Sequence, residues 1–129
     1  MMIKYSYTIM YVADVEATVK FYEEAFGFVR KFITPEKDYG ELVSGETTIA
    51  FAQLDLASSN LKKGYQQVSS DKPFGIELGF VVEDVAIAIL QVEQAGGNVY
   101  EALTVKPWGQ TVGYVLDNNG FLIELCTAM

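Results

Sequence analysis

The sequence predicts an α+β fold built from two βαβββ modules, and three observations carry it. A shift of 70 residues superposes the two halves, carrying Asp14 onto Asp84, Val15 onto Val85, Gly27 onto Gly97 and Val29 onto Val99. Each half opens with a β-prone run followed by an Asp-capped apolar stripe of helical period. The chain ends in two β-rich runs joined by Asp117-Asn118-Asn119-Gly120, residues that tolerate the positive φ of a tight hairpin. Two open sheets, each covered by its helix, would bury concave faces against each other or against another chain.

In chain order, Ile3–Val12 alternates as a strand, with Tyr5, Tyr7, Ile9 and Tyr11 on one face and Ser6, Thr8, Met10 and Val12 on the other. Asp14 sits at an N-cap, and Val15, Val19, Tyr22 and Phe26 form one helical stripe up to Gly27, a helix stop. Strands follow at Phe28–Ile33, Glu41–Val43 and Thr47–Gln53, with a polar turn over 34–40. Residues 55–74 read as a linker, with a helical turn near Asn60–Lys63, between modules 1–54 and 75–129 of a single domain. The second module repeats the order: strand Ile76–Val82, helix from Asp84 to about Gln94, Gly96-Gly97, strand Val99–Leu103, then the terminal hairpin.

Composition narrows the function. The 129 residues carry a net charge of −8, with nine basic residues of which Arg30 is the one arginine. That balance disfavours a nucleic-acid groove and attracts cations. Histidine is absent, which removes the commonest general base, any Ser-His or Cys-His pair and every imidazole metal ligand. No apolar run approaches membrane-spanning length, and the first residues lack a signal-peptide core. The single Cys126 fits a reducing cytoplasm and, sharing strand parity with Glu124, reads best as structural. Within the apolar run of the last strand Glu124 is the one carboxylate, so it needs a wet cavity or a partner.

The chain resembles the vicinal oxygen chelate superfamily, which includes glyoxalases, bleomycin resistance proteins and extradiol dioxygenases. The resemblance is carried by Tyr11-Val12-Ala13-Asp14-Val15, Phe21-Tyr22 and Phe26-Gly27-Phe28, and by Gly79-Phe80-Val81-Val82-Glu83-Asp84-Val85 and Ala95-Gly96-Gly97. Pro107-Trp108-Gly109-Gln110 and Ile123-Glu124-Leu125 complete it. It implies curved mixed sheets around a concave pocket and a homodimer. The family's metal-dependent members carry His, Glu, His and Glu at four inward positions, which here fall on Tyr7, Ala50, Glu77 and Glu124.

Glu77 and Glu124 are thus the candidate catalytic pair, and the candidate ligands if a divalent metal binds; no tightly bound metal is the first expectation. Two carboxylates held close raise one pKa toward neutrality. Tyr7 is expected to line the pocket with its hydroxyl on Glu77 or Glu124, and Ala50 to leave room where a ligand would stand. Trp108 is read equally as a stacking wall or as an edge or subunit contact. Three functions follow from the resemblance. The first is binding of a cationic or aromatic small molecule, as in the bleomycin resistance branch. The others are a metal-dependent lactoylglutathione lyase and a metal-free isomerase using Glu77 and Glu124.

Overall fold

A computed structural model describes all 129 residues and confirms the two βαβββ modules. The chain divides into two compact units, Met1–Glu23 with Gly27–Gln67, and Glu24–Phe26 with Val68–Met129. The first holds β1 (Tyr7–Val12), most of α1 (Val15–Phe26), β2 (Val29–Ile33), β3 (Tyr39–Ser44), β4 (Thr47–Gln53) and α2 (Leu54–Asn60). The second holds β5 (Leu78–Val81), α3 (Val85–Ala95), β6 (Asn98–Val105), β7 (Thr111–Leu116) and β8 (Leu122–Cys126). Each sheet has one order: β1-β4-β3-β2 in the first and β5-β8-β7-β6 in the second, with the first strand parallel to the last.

The helices begin and end where the caps dictate. Asp14 accepts from the Ala17 amide at 2.9 Å and Asp84 from the Ile87 amide at 3.0 Å, satisfying first-turn donors that lack helical partners. Gly27 and Gly96 take the left-handed conformation, with φ of 70° and 109°, and close the other ends. Each helix covers one sheet face. In the first module Val15, Val19 and Tyr22 of α1 are buried, and Tyr22 meets Phe51 with ring centroids 5.2 Å apart. Gly40 and Gly113 make that seating possible. A Cβ on Gly40 would stand 3.0 Å from Val15 Cγ1, and one on Gly113 would stand 3.1 Å from Ile89 Cδ1 and 3.3 Å from Val85 Cγ1. The same device therefore serves both modules.

Two boundaries differ from expectation. Residues 3–6 and 76–77 continue the β pattern but have no ladder partner, so β1 starts at Tyr7 opposite Thr48 and β5 at Leu78 opposite Ile123. In the segment read as a linker, the helix lies earlier than Asn60–Lys63. The Gln53 side chain accepts from the Asp55 amide at 2.7 Å and starts α2, whose Ala57 is buried. Beyond it Tyr65 returns to the first module, edge-on to Tyr11 at 4.9 Å.

The terminal hairpin is held by a carboxylate. Asp117, fully buried, accepts from the amides of Asn119, Gly120 and Phe121 at 2.8 to 2.9 Å through one oxygen. Gly120 has φ 109°, and a Cβ there would stand 3.0 Å from the Ser69 and Ser70 backbone. The end of the 55–74 segment thus lies directly against this turn.

Candidate functional site

The register makes the two modules comparable position by position. Ile9 pairs with Ala50 in the first and Gly79 with Glu124 in the second, so Ala50 and Glu124 are equivalent. Two residues before Ile9 and Gly79, Tyr7 and Glu77 are equivalent by the 70-residue shift, Tyr7 at the start of β1 and Glu77 just before β5. Tyr7, Ala50 and Glu124 stand on the sheet face away from the helix, because alternate and directly paired residues share a face. Phe51 and Ile49 occupy the helix face and are buried there.

In the second module Glu124 is partly buried, and Tyr114 Oη, from the paired position on β7, donates to its Oε1 at 3.1 Å. Within its own module Glu124 therefore has a phenolic partner in Tyr114, a residue not among the candidates read from the sequence. Glu77 lies on the chain entering β5, beside this pair. Partial burial, then repulsion from the Glu124 carboxylate, raises its pKa above the ordinary range. Burial, the hydrogen bond to Glu124 and the charge on Glu77 likewise raise Tyr114, keeping it a neutral donor. Cys126 is buried on the same face, its thiol donating to the Phe80 carbonyl at 3.7 Å. Burial, then Glu124, pushes that thiol up, which disfavours the thiolate form.

The first module has a carboxylate too, on a different strand. Ala50 is fully buried, and its partner on β3 is Glu41, only 9% exposed. Tyr39 Oη donates to Glu41 Oε2 at 2.7 Å, and Lys31 Nζ lies 3.4 Å from Oε1. Burial, then the bond to Glu41, raises the Tyr39 phenol well above its usual pKa. Each module therefore holds a Tyr–Glu pair on the face away from its helix. In the second the carboxylate comes from the last strand, and in the first from the strand beside it. Glu41 escaped the sequence analysis because its short β3 run, Glu41-Leu42-Val43, gave too few alternations to fix a face.

Trp108 sits in the β6–β7 turn, 64% exposed, its indole N–H donating to Gln110 Oε1 at 2.8 Å. A separate apolar groove of about 390 Å³ lies between α3 and β6, lined by Ala86, Ile89, Leu90, Val99, Ala102 and Leu103. It contains neither carboxylate.

The donor set does not suit the metal of the metal-dependent relatives. Zinc and nickel sites ordinarily want imidazole or thiolate. Here the first module offers a phenol and a methyl group at the two positions, and the second offers two carboxylates, one already engaged by Tyr114. No group of three or more His, Cys, Asp or Glu side chains is gathered so as to hold a metal ion.

Comparison with known proteins agrees with the fold. A probable lactoylglutathione lyase of Vibrio parahaemolyticus is 28% identical over 125 residues, 92% of this chain and 86% of that protein. A lactoylglutathione lyase of Arabidopsis thaliana is 28% identical over 128 residues, 95% of this chain but 43% of that longer protein. The structure of a hypothetical protein from S. aureus superposes with a TM-score of 0.83 at 21% identity, covering 99% of this chain and 96% of that one. The family profile itself spans residues 4–125, and the chain belongs to the glyoxalase/bleomycin resistance protein/dioxygenase superfamily.

Proposed function

We propose that the protein binds a small molecule on the sheet faces turned away from its helices, without a tightly bound metal, and prefers a cationic aromatic ligand. The observation that carries this is the Glu77–Glu124–Tyr114 cluster, two carboxylates and a phenol on one face of an acidic protein. Such a face attracts a cation, and the phenol orients one carboxylate to receive it. Trp108, half-free in its turn, supplies the optical reporter. The test is a panel of cationic aromatic compounds, read by Trp108 fluorescence and melting temperature. A hit at micromolar affinity that is lost in a Glu77→Gln, Glu124→Gln double variant supports the reading. A panel that moves neither signal removes it.

Two catalytic readings have observations of their own. The raised pKa of Glu77 beside an engaged Glu124 suits a metal-free isomerase in which Glu77 moves a proton. Its mark would be a pH–rate profile governed by a carboxylate, abolished by Glu77→Gln. The two named relatives favour lactoylglutathione lyase activity. This is tested by product formation from methylglyoxal and glutathione with added Ni²⁺ or Zn²⁺, and no rate above background would remove it.

A homodimer is part of the proposal. All eight residues of edge strand β6 are exposed, Val99, Leu103 and Val105 among them, and a long unpaired apolar edge invites a partner. Sedimentation at the monomer mass across micromolar concentrations would refute it.

A further inference from the structure

Glu41 and Lys31 are placed in a way that core packing does not require. Lys31 is the extra residue of a β-bulge: Arg30 pairs with Leu42 and Phe32 with Glu41, leaving Lys31 between them. Bulges re-aim side chains. This one leaves the Lys31 ammonium before the buried carboxylate while its side chain stays 54% exposed. The two contacts to Glu41 are unequal. Tyr39 holds one oxygen at 2.7 Å, whereas the ammonium stands off at 3.4 Å, beyond the roughly 2.7–2.9 Å of a charge-assisted hydrogen bond. Phe32 and Tyr39 stand beside the carboxylate, ring centroids 5.9 Å apart. Phe32 is itself exposed, as is the Lys31 side chain that faces the carboxylate.

We infer that Lys31 is an internal occupant of a cation subsite, in which Glu41, Tyr39 and Phe32 receive the primary ammonium group of a small amine ligand. A carboxylate this buried is costly without a counter-charge. The protein keeps its own tethered cation there, held loosely enough to leave. When the ligand's ammonium arrives, Lys31 swings into water. Tyr39, a neutral donor, fixes one carboxylate oxygen and leaves the other for the incoming N–H. The two rings contribute flat apolar walls and negative faces to the cation. Lys31 thus lowers the apparent affinity by occupying the competent state.

This rests on the small-molecule-binding reading, names one group of that ligand, and is tested in the other module. Benzylammonium chloride is titrated into the full chain while the ring resonances of Phe32 and Tyr39 are followed by NMR. Lys31→Met is expected to bind the probe roughly three- to fivefold more tightly than the parent, the scale of one half-exposed ion pair. Adding Glu41→Gln to Lys31→Met is expected to weaken binding about tenfold or more. Unchanged or weaker binding by Lys31→Met overturns the inference, and that variant, at an exposed position, decides it even should the double variant fold poorly. Success here, with compound binding unchanged in the Glu77→Gln, Glu124→Gln variant, would remove only the second-module reading. The reverse result would remove only this one.

Discussion

Glu77 shows how a single side chain ties the candidate chemistry to stability. Its pKa is raised in the folded chain, by partial burial first and by Glu124 second. The folded state therefore holds a proton that the unfolded chain has already released, so stability falls as pH rises from the unfolded pKa through the folded one. Glu77→Gln removes this penalty. The variant is expected to melt higher than the parent near pH 7, with the advantage shrinking as pH falls through about 4 and below, where the parent becomes protonated in both states. A melting-temperature difference constant across that range would show that Glu77 carries no such coupling. At this scale the sequence was legible for Glu124, because a lone carboxylate in an apolar run demands a partner. The identity of the partner was not, since Tyr114 and Tyr7 are equally plausible phenols until the β7–β8 register is known.

Helix seating belongs to the elements. Gly40 on β3 and Gly113 on β7 let α1 and α3 lie close, and neither has the positive φ that would demand glycine for conformation. Their cost on substitution is therefore steric. Gly113→Ala and Gly40→Ala are each expected to destabilise by about 1–3 kcal/mol, as overpacking does. Chemical denaturation measures this, and a change below about 0.5 kcal/mol would mean that the helix shifts freely. The element pattern was the most legible level. Asp14 and Asp84 caps, glycine stops and alternating runs all act within a few residues, so α1, α3, β4 and the final hairpin needed no tertiary information. The strand starts at Tyr7 and Leu78, and the bulge at Lys31, depend on the partner strand and could not be read locally.

For the whole molecule, the balance of acidic residues without histidine decides what the fold can hold. Calorimetric titration of the stripped protein with Ni²⁺, Zn²⁺, Mn²⁺ and Mg²⁺ is expected to show no tight stoichiometric binding. A tight site lost in the Glu77→Gln, Glu124→Gln variant would reopen the lyase reading. No helix is long and apolar enough to cross a membrane. The repeat was visible in the sequence because a shift of 70 residues aligns the first strand and helix of both halves. That the first module carries its carboxylate on β3 rather than β4 was invisible, since only strand pairing places Glu41 beside Ala50.

The place of Glu41 across the ladder from Ala50 makes the order of mutations matter. Ala50 stands where Glu124 stands in the second module, one substitution from a carboxylate. Yet its neighbour across the ladder is the buried Glu41, and like charges directly opposite repel. Ala50→Glu alone is expected to lower the melting temperature, and Ala50→Glu with Glu41→Ala to recover much of the loss, which thermal unfolding of the two variants would show. If the single variant is as stable as the parent, the two carboxylates tolerate each other across the ladder. Otherwise the buried Glu41 bars a second carboxylate beside it, and an acidic residue at position 50 requires its removal first.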